Sequence, residues 1–583
     1  MSTDTPADDL ALSKRLFLEV RGERRPLALA VIMYLPILLC RIGQPFIVGL
    51  VVERGFQPKD LDAVATWTLV FVGLVLCQSA TEIGQLFLLQ RTGQRVLRNL
   101  RQRLFAKVQR LPMAYFDRTP LGRVMTRVTN DVEALGELFS SGGVQIVGDI
   151  LFLAGTLIAL FVVDWRLALA SVVTFPVLIF GVQFFRRRAR QAFGRVRSKL
   201  AVLNGYLQEH LSGMHIVQLF DQTKRIRSRF EEENQAYNLA NREAIVLDAG
   251  VYSFVDAMGT IAVAVVLLVG AGLHQEGWLT LGVLVAFIQA LDRFFLPIRE
   301  LSNRYTVMQN AFTSAERIYG LEDEPETIKS PPEPKRASFE TELTFQDVHF
   351  RYEKGPPVLQ GLSFRVRKGE RVAFVGHTGA GKSTILRLFD RAYDIQSGAI
   401  SLDGMDIRDL DLSALRRLST AVPQDVFLFS GTLRENLVFA NPDIGDDELM
   451  RAVQACQAEG VLSRHGGLDA EVRERGQNFS LGERQLLALV RALVTDPPIL
   501  ILDEATASVD RETERRLQTA TETLMKGRTS LIVAHRLSTI RQCDRIIVMS
   551  RGQIVESGSH EDLMARQGQY AALVELQQRE ESV

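Results

Sequence analysis

Residues 376–384 read GHTGAGKST. Three glycines followed by a lysine and then two adjacent hydroxyl side chains, with a third at Thr378, suit one task, the holding of a polyphosphate. Glycines let backbone N–H groups close around phosphate oxygens. The Lys382 ammonium reaches the terminal phosphates, and the Ser383 hydroxyl is a ligand that Mg²⁺ accepts beside phosphate oxygens. The candidate contacts are Gly376, His377, Thr378, Gly379, Ala380, Gly381, Lys382, Ser383 and Thr384. Farther along, PILILDE at 498–504 is an apolar run that ends in two acids. Successive strand residues point to opposite faces, but where the chain turns at a strand end both carboxylates can face one site. Asp503 fits the holding of Mg²⁺, and Glu504 fits a general base that takes a proton from an attacking water.

Such a loop is informative only when a strand precedes it and a helix follows. Here LTFQDVHFRY alternates like a strand, RVAFVG runs into the first glycine, and ILRLFDRAY follows the hydroxyls. Residues 336–583 are therefore expected to fold as an α/β domain around this loop. Just before them, EDEPETIKSPPEPKRASFE at 322–340 is acidic and proline-rich, a linker composition that places the boundary near 335.

Residues 1–335 are of another kind. Apolar runs near 27–52, 65–90, 144–163, 165–185, 250–272 and 278–298 are each about long enough to cross a bilayer. Connections after the second and fourth runs are long and basic, with nine Lys/Arg against one acid (Asp117) over 95–127 and seven against none over 186–199. Positive charge stays inside. Both long connections, both termini and the α/β domain are thus expected in the cytosol, with the spans extended as helices that turn near Pro120 and Gly213. Residues 10–24 suit an amphipathic segment on the membrane surface. Arg41, Glu82, Asp149, Asp256, Asp292 and Arg293 lie within the apolar runs. Each charge costs about 2.5–3.5 kcal/mol at mid-bilayer on insertion scales, which leaves two readings open: a polar substrate cavity, or pairing between helices.

Composition excludes other classes. The chain of 583 residues exceeds a single core, and its zero net charge gives no general basis for binding nucleic acid. Cys40, Cys77, Cys456 and Cys543 are scattered, with neither metal spacing nor a disulfide framework. The first residues carry acids where a secretion signal has bases.

The motifs, taken in order, resemble those of the ATP-binding cassette transporters across essentially the whole chain. That resemblance implies that Tyr352 stacks on adenine, that Gln424 in VPQDVFLFSGTLRENL contacts Mg²⁺ and the membrane domain, and that Glu474 in VRERG touches the membrane domain's tips. It likewise implies that Ser480 and Gly482 in FSLGERQ reach a nucleotide held by a partner, that Asp510 ends a loop crossing a dimer interface, and that His535 in LIVAHRLSTI senses the γ-phosphate. FDRTPLGRVMTRVTNDVEAL from Phe116 and EHLSGMHIVQLF from Glu209 are similar to the cytosolic tips of exporter-type members, and a membrane half fused ahead of the cassette is similar to an exporter half.

The signature departs from the family's usual LSGGQ. Leu481 stands where glycine allows close approach, and Glu483 puts an anion where a neutral donor is usual. At an effective dielectric of about 20, an anion 4 Å from a phosphate charge is opposed by about 4 kcal/mol. In heterodimeric members one subunit keeps the catalytic glutamate and carries an altered signature. The resemblance therefore implies an ATP- and Mg²⁺-dependent exporter of hydrophobic or lipid-like compounds in the cytoplasmic membrane, paired with a second half-transporter of different sequence or, failing that, with its own copy. An exporter of a peptide or other specific solute, and an importer built on the same fold, are the alternatives.

Overall fold

The computed structural model describes residues 12, 14–16, 18–353, 355–503, 510–534 and 536–581. Two compact units emerge. One comprises residues 1–108 and 122–323, the other 109–121 and 324–583.

The first unit is entirely helical. Among the described residues six helical segments are long and apolar enough to cross a membrane: Arg21–Phe56, Leu61–Arg110, Leu121–Val163, Trp165–Ser212, Thr223–Gln275 and Leu281–Ile298. The helix Leu61–Arg110 has 50 residues and Thr223–Gln275 has 53. At 1.5 Å per residue each runs about 75–80 Å, more than twice a hydrocarbon core. The apolar runs thus continue into the long polar connections as helix. Local chemistry sets the breaks. Asp164 caps the fourth segment by accepting from the Arg166 and Leu167 N–H groups, and Thr280 caps the sixth by accepting from Val283. The helix Phe175–Ser212 stops at Gly213, and a six-residue helix, Met214–Leu219, makes the tip. First and sixth spans cross closely: a methyl on Gly49 would lie 2.5 Å from the Gly282 carbonyl oxygen. Small residues allow such approach where no hydrophobic force drives helices together.

Several of the charges in the apolar runs have protein partners. Arg304 forms an ion pair with Asp149 (3.0 Å) and donates to Gln145 (2.7 Å). Arg293 donates to Gln44 (2.7 Å), Gln44 to Gln78 (2.6 Å), and Gln78 to Glu82 (2.8 Å), a polar chain through the sixth, first and second spans. The Arg41 guanidinium lies 4.3 Å over the Phe152 ring. Pairing between helices therefore accounts for Asp149 and Arg293, while Glu82 is bonded to Gln78 one turn earlier on its own helix.

The second unit holds two main sheets. Its strands are β1 (Glu342–Phe350), β2 (Leu359–Arg367), β3 (Arg371–Val375), β4 (Ser397–Leu402), β5 (Met405–Asp406), β6 (Ser419–Val422), β7 (Gly431–Thr432), β8 (Glu471–Val472), β9 (Ile499–Asp503), β10 (Thr529–Val533), β11 (Arg545–Ser550) and β12 (Gln553–Gly558). An antiparallel sheet has the order β2-β1-β4-β5, and a mostly parallel sheet the order β12-β11-β3-β10-β9-β6; β7 and β8 pair separately. The parallel strands alternate between two cores, as a period of two requires. Leu500, Leu502 and Ile532 enter a core shared with the helix Leu481–Thr495, while Ile499, Ile501 and Leu531 join Phe345, Phe374 and Ile385.

The proline-rich stretch is docked, despite its linker composition. Lys335 bridges to Leu410, the Ser330 hydroxyl donates to Asp411 (3.1 Å), and Phe339 is buried.

Candidate nucleotide site

Parallel register gathers the site. Val533 lies opposite both Phe374 and Asp503, and Leu502 lies opposite Val422. The carboxyl ends of β3, β9, β10 and β6 therefore share one edge, the edge at which open α/β sheets bind ligands. The loop 376–381 leaves β3 there and opens directly into the helix Lys382–Phe389. Asp503 ends β9, and Gln424 lies exposed two residues past β6. Glu504 and His535 follow β9 and β10 in sequence but lie outside the described residues.

The loop's conformation explains its glycines. Gly376, Gly379 and Gly381 have φ of 150°, 83° and 100°. A methyl on Gly376 would lie 2.2 Å from the Met549 carbonyl oxygen, so neither the angle nor the space admits a side chain. Ala380 is buried, and its N–H donates to the His377 carbonyl (3.1 Å).

Lys382 is 6% exposed, with its ammonium donating to the carbonyls of Gly376 (2.7 Å) and His377 (3.1 Å). Burial lowers its pKa and the nearby Asp503 carboxylate opposes that. The Ser383 hydroxyl donates to Asp503 Oδ1 at 3.3 Å. Two oxygen donors from the helix start and the strand end thus meet beside the loop, a set that suits a hard divalent cation which keeps most of its other ligands from water and phosphate. The helix N-terminus adds a favourable field for anions. Tyr352 stands half-buried beside the first turn of this helix. Its hydroxyl is 3.2 Å from Thr384 Oγ1, and its ring meets those of Phe350 (4.9 Å) and Tyr393 (5.2 Å) edge-on.

The signature residues stand elsewhere. Ser480 is exposed at the N-terminus of the helix Leu481–Thr495, with Gly482 buried in its first turn. Among the described residues no hydrogen bond or ion pair joins them to the loop of their own chain. Glu483 is held by groups of its own chain. The Ser480 N–H donates to Glu483 Oε2 (2.8 Å) while the Glu483 N–H donates back to the Ser480 hydroxyl (3.3 Å). Its other oxygen faces Arg464 (2.9 Å) and His465 (3.5 Å). Burial raises this carboxyl, but the Ser480 N–H and Arg464 outweigh it and hold the pKa below the usual range. The anion is thus absorbed by a capping box. The sequence carries that signal, since Ser-x-x-Glu before an apolar run is a helix start; Arg464 and His465 carry no local signal. Asp510 likewise caps the helix Arg511–Met525 through the Thr513 N–H (3.0 Å), and Glu474 is exposed in a short turn.

A site of this build, behind six membrane-length helices, is met again in known proteins. Residues 27–298 match the family model for the ABC transporter transmembrane region, and 359–507 match a second model, described as ABC transporter. The chain is 38% identical to an ABC transporter ATP-binding protein, YknV, of Bacillus subtilis (strain 168), over 91% of this chain and 89% of that relative. The chain is an ABC transporter. This transporter is also 33% identical to an ATP-dependent lipid A-core flippase of Syntrophus aciditrophicus (strain SB), over 92% of its own length and 90% of the flippase. Its fold aligns with a bacterial Atm1-family ABC exporter solved with ATP bound, at a TM-score of 0.77 and 26% identity, covering 95% of this chain and 98% of that one. The transporter is accordingly a multi-pass membrane ATPase whose hydrolysis is coupled to transport, and half-transporters of this arrangement work as dimers.

Proposed function

We propose that this half-transporter exports hydrophobic or amphipathic compounds across the cytoplasmic membrane, with residues 1–335 as the membrane domain and 336–583 as the ATPase on the cytosolic side. The observation that carries the reading is the seating of Lys382 and the Ser383–Asp503 pair at the strand-end edge behind a six-helix membrane unit of exporter fold. Names borne by the relatives, a lipid A-core flippase and a fatty acid transporter among them, favour lipid-like cargo. In this reading the loop N–H groups and Lys382 bind the phosphates, and Tyr352 supports the base. Ser383, Asp503 and Gln424 hold Mg²⁺, whose charge eases displacement at the γ-phosphate. Glu504 takes the proton of the attacking water and His535 fixes the γ-phosphate.

The partner is a second half-transporter whose signature, with its own Ser480 and Gly482 counterparts, completes the site. Leu481 in place of glycine favours a partner of different sequence. The inward-turned Glu483 favours a second reading, a homodimer, because it removes the charge conflict from the signature.

Two measurements test the function. Glu504→Gln in the assembled transporter is expected to bind ATP and to lose about 10²–10⁴-fold in turnover; ATPase near the wild-type rate overturns the assignment of the base. Inside-out vesicles are expected to accumulate a lipid-like dye only with ATP, and ATP-dependent loss of preloaded dye would mark an importer.

A further inference from the structure

The helices Phe175–Ser212 and Thr223–Gln275 pack side by side and leave a groove of about 610 Å³ between them. Its walls include Arg188, Arg195 and Arg242, together with Leu239, Val246 and Leu247. Glu243 also lines it and is paired with Arg195 at 2.5 Å. Among the described residues no carboxylate lies within ion-pair distance of Arg188 or Arg242. The Arg188 guanidinium is instead held over the Phe184 ring at 4.3 Å, which fixes its direction without neutralising it.

Depth along the helices places this groove. The apolar run of the fourth span ends at Phe185, and that of the fifth begins near Gly250. At 1.5 Å per residue, Arg188, Val246 and Leu247 lie about 5 Å beyond the hydrocarbon, and Arg242 about 12 Å. Headgroups occupy roughly the first 5–8 Å outside the core. The membrane end of the groove therefore opens at headgroup depth, where Arg188, Val246 and Leu247 stand and Val246 is 64% exposed, and the groove continues past Arg242 toward the cytosol. Two uncompensated guanidinium forks beside an apolar wall match a phosphate that carries acyl chains. Basic pockets between spans on the cytoplasmic side are suited to anionic headgroups.

We propose that this groove is a binding site for the headgroup of an anionic phospholipid of the inner leaflet, with Arg188 on the phosphate, Arg242 adding its charge from the cytosolic side of the headgroup, and Val246 and Leu247 along the first acyl carbons. The proposal rests on the cytosolic orientation of the basic connections read above. A free phosphate shares the charge but not the acyl contact, and is expected to bind far more weakly.

The test uses the full-length transporter in nanodiscs of phosphatidylcholine with or without one quarter phosphatidylglycerol, and counts retained phosphatidylglycerol by native mass spectrometry. The wild type is expected to retain it, and Arg188→Gln/Arg242→Gln to retain about thirtyfold less, near 1 kcal/mol per basic residue at an anionic surface. Lys382→Ala, impaired in ATP binding, is expected to retain lipid as the wild type does, so the readout is independent of transport. Inorganic phosphate at millimolar level is expected not to displace the lipid. Equal retention by the double variant, or displacement by phosphate, overturns the site. Sidedness is read separately from Gln191→Cys in a chain whose four native cysteines are replaced by serine. Labelling from outside sealed cells would overturn the orientation, whereas labelling only in inside-out vesicles together with unchanged retention overturns the groove alone.

Discussion

Replacing Glu483 by glutamine separates two physical accounts of the altered signature. If the carboxylate faced a nucleotide phosphate at about 4 Å, neutralising it would relieve about 4 kcal/mol at an effective dielectric of 20, close to a thousandfold in affinity. The structure turns both oxygens to the protein: one accepts from the Ser480 N–H at 2.8 Å and the other faces Arg464 at 2.9 Å. Glutamine at this position keeps the cap. What is lost is an ion pair with an arginine side chain 61% exposed, worth about 0–1 kcal/mol. Glu483→Gln should therefore leave nucleotide affinity and ATPase within about threefold and stability within about 1 kcal/mol. Glu483→Ala keeps the bond from its own N–H to the Ser480 hydroxyl but leaves the Ser480 N–H without its acceptor, and should destabilise the ATP-binding unit by about 1–2 kcal/mol. The Glu483 pKa is depressed below its ordinary 4.5, so its contribution is complete above that value and is lost as pH falls through the depressed one; the glutamine variant should lack this acid-side loss. Nucleotide titration, steady-state ATPase and thermal unfolding between pH 3.5 and 7 measure all three. A tenfold or greater rise in ATP affinity for Glu483→Gln at unchanged stability would refute the inward-facing carboxylate.

Three further outcomes are expected. Gly376→Ala puts a methyl 2.2 Å from the Met549 carbonyl oxygen at φ 150° and should abolish ATP binding, read with a fluorescent nucleotide. Asp390, densely surrounded at the end of the loop helix, is raised by burial from 3.8 to about 6 even though the Ser419 hydroxyl donates to it. A raised acid costs stability once it ionises, so stability should fall as pH rises from 4 through 6; Asp390→Asn should gain about 1–3 kcal/mol at pH 7.5 and lose that advantage below pH 4 in paired unfolding curves. Asp149→Ala leaves Arg304 without its carboxylate and should destabilise the membrane unit by about 3–5 kcal/mol in detergent melts, with Asp149→Leu/Arg304→Met recovering most of it.

Much of this molecule is legible in short windows. The phosphate loop is, because a strand, three glycines and a helix start are contiguous. The six spans are, because twenty apolar residues have few other uses. The cap at Ser480 and Glu483 is written in four residues, yet attention to a missing glycine hides it. Long-range pairing is not legible. Whether Arg293 faces a cavity or Gln44 depends on the rotation of three helices, and local pattern does not set it. The docking of the proline-rich stretch on Leu410 and Asp411 escapes composition for the same reason: its polar backbone finds partners about 80 residues away.

The ATP-binding unit is discontinuous in the chain, since residues 109–121 belong to it. Inside it the Tyr393 hydroxyl donates to Asp117 at 2.6 Å across 276 positions of sequence. A ribosome adding about 5–20 residues per second makes Asp117 roughly 15–55 s before Tyr393 exists. Throughout that interval the segment has no home, although the helices on either side of it can already be inserting. The tie can close only once about two thirds of the chain has been made. A prematurely ended chain can therefore hold a full set of membrane helices and still lack this clasp, so the late closure acts as a checkpoint on completeness, written into the order of synthesis.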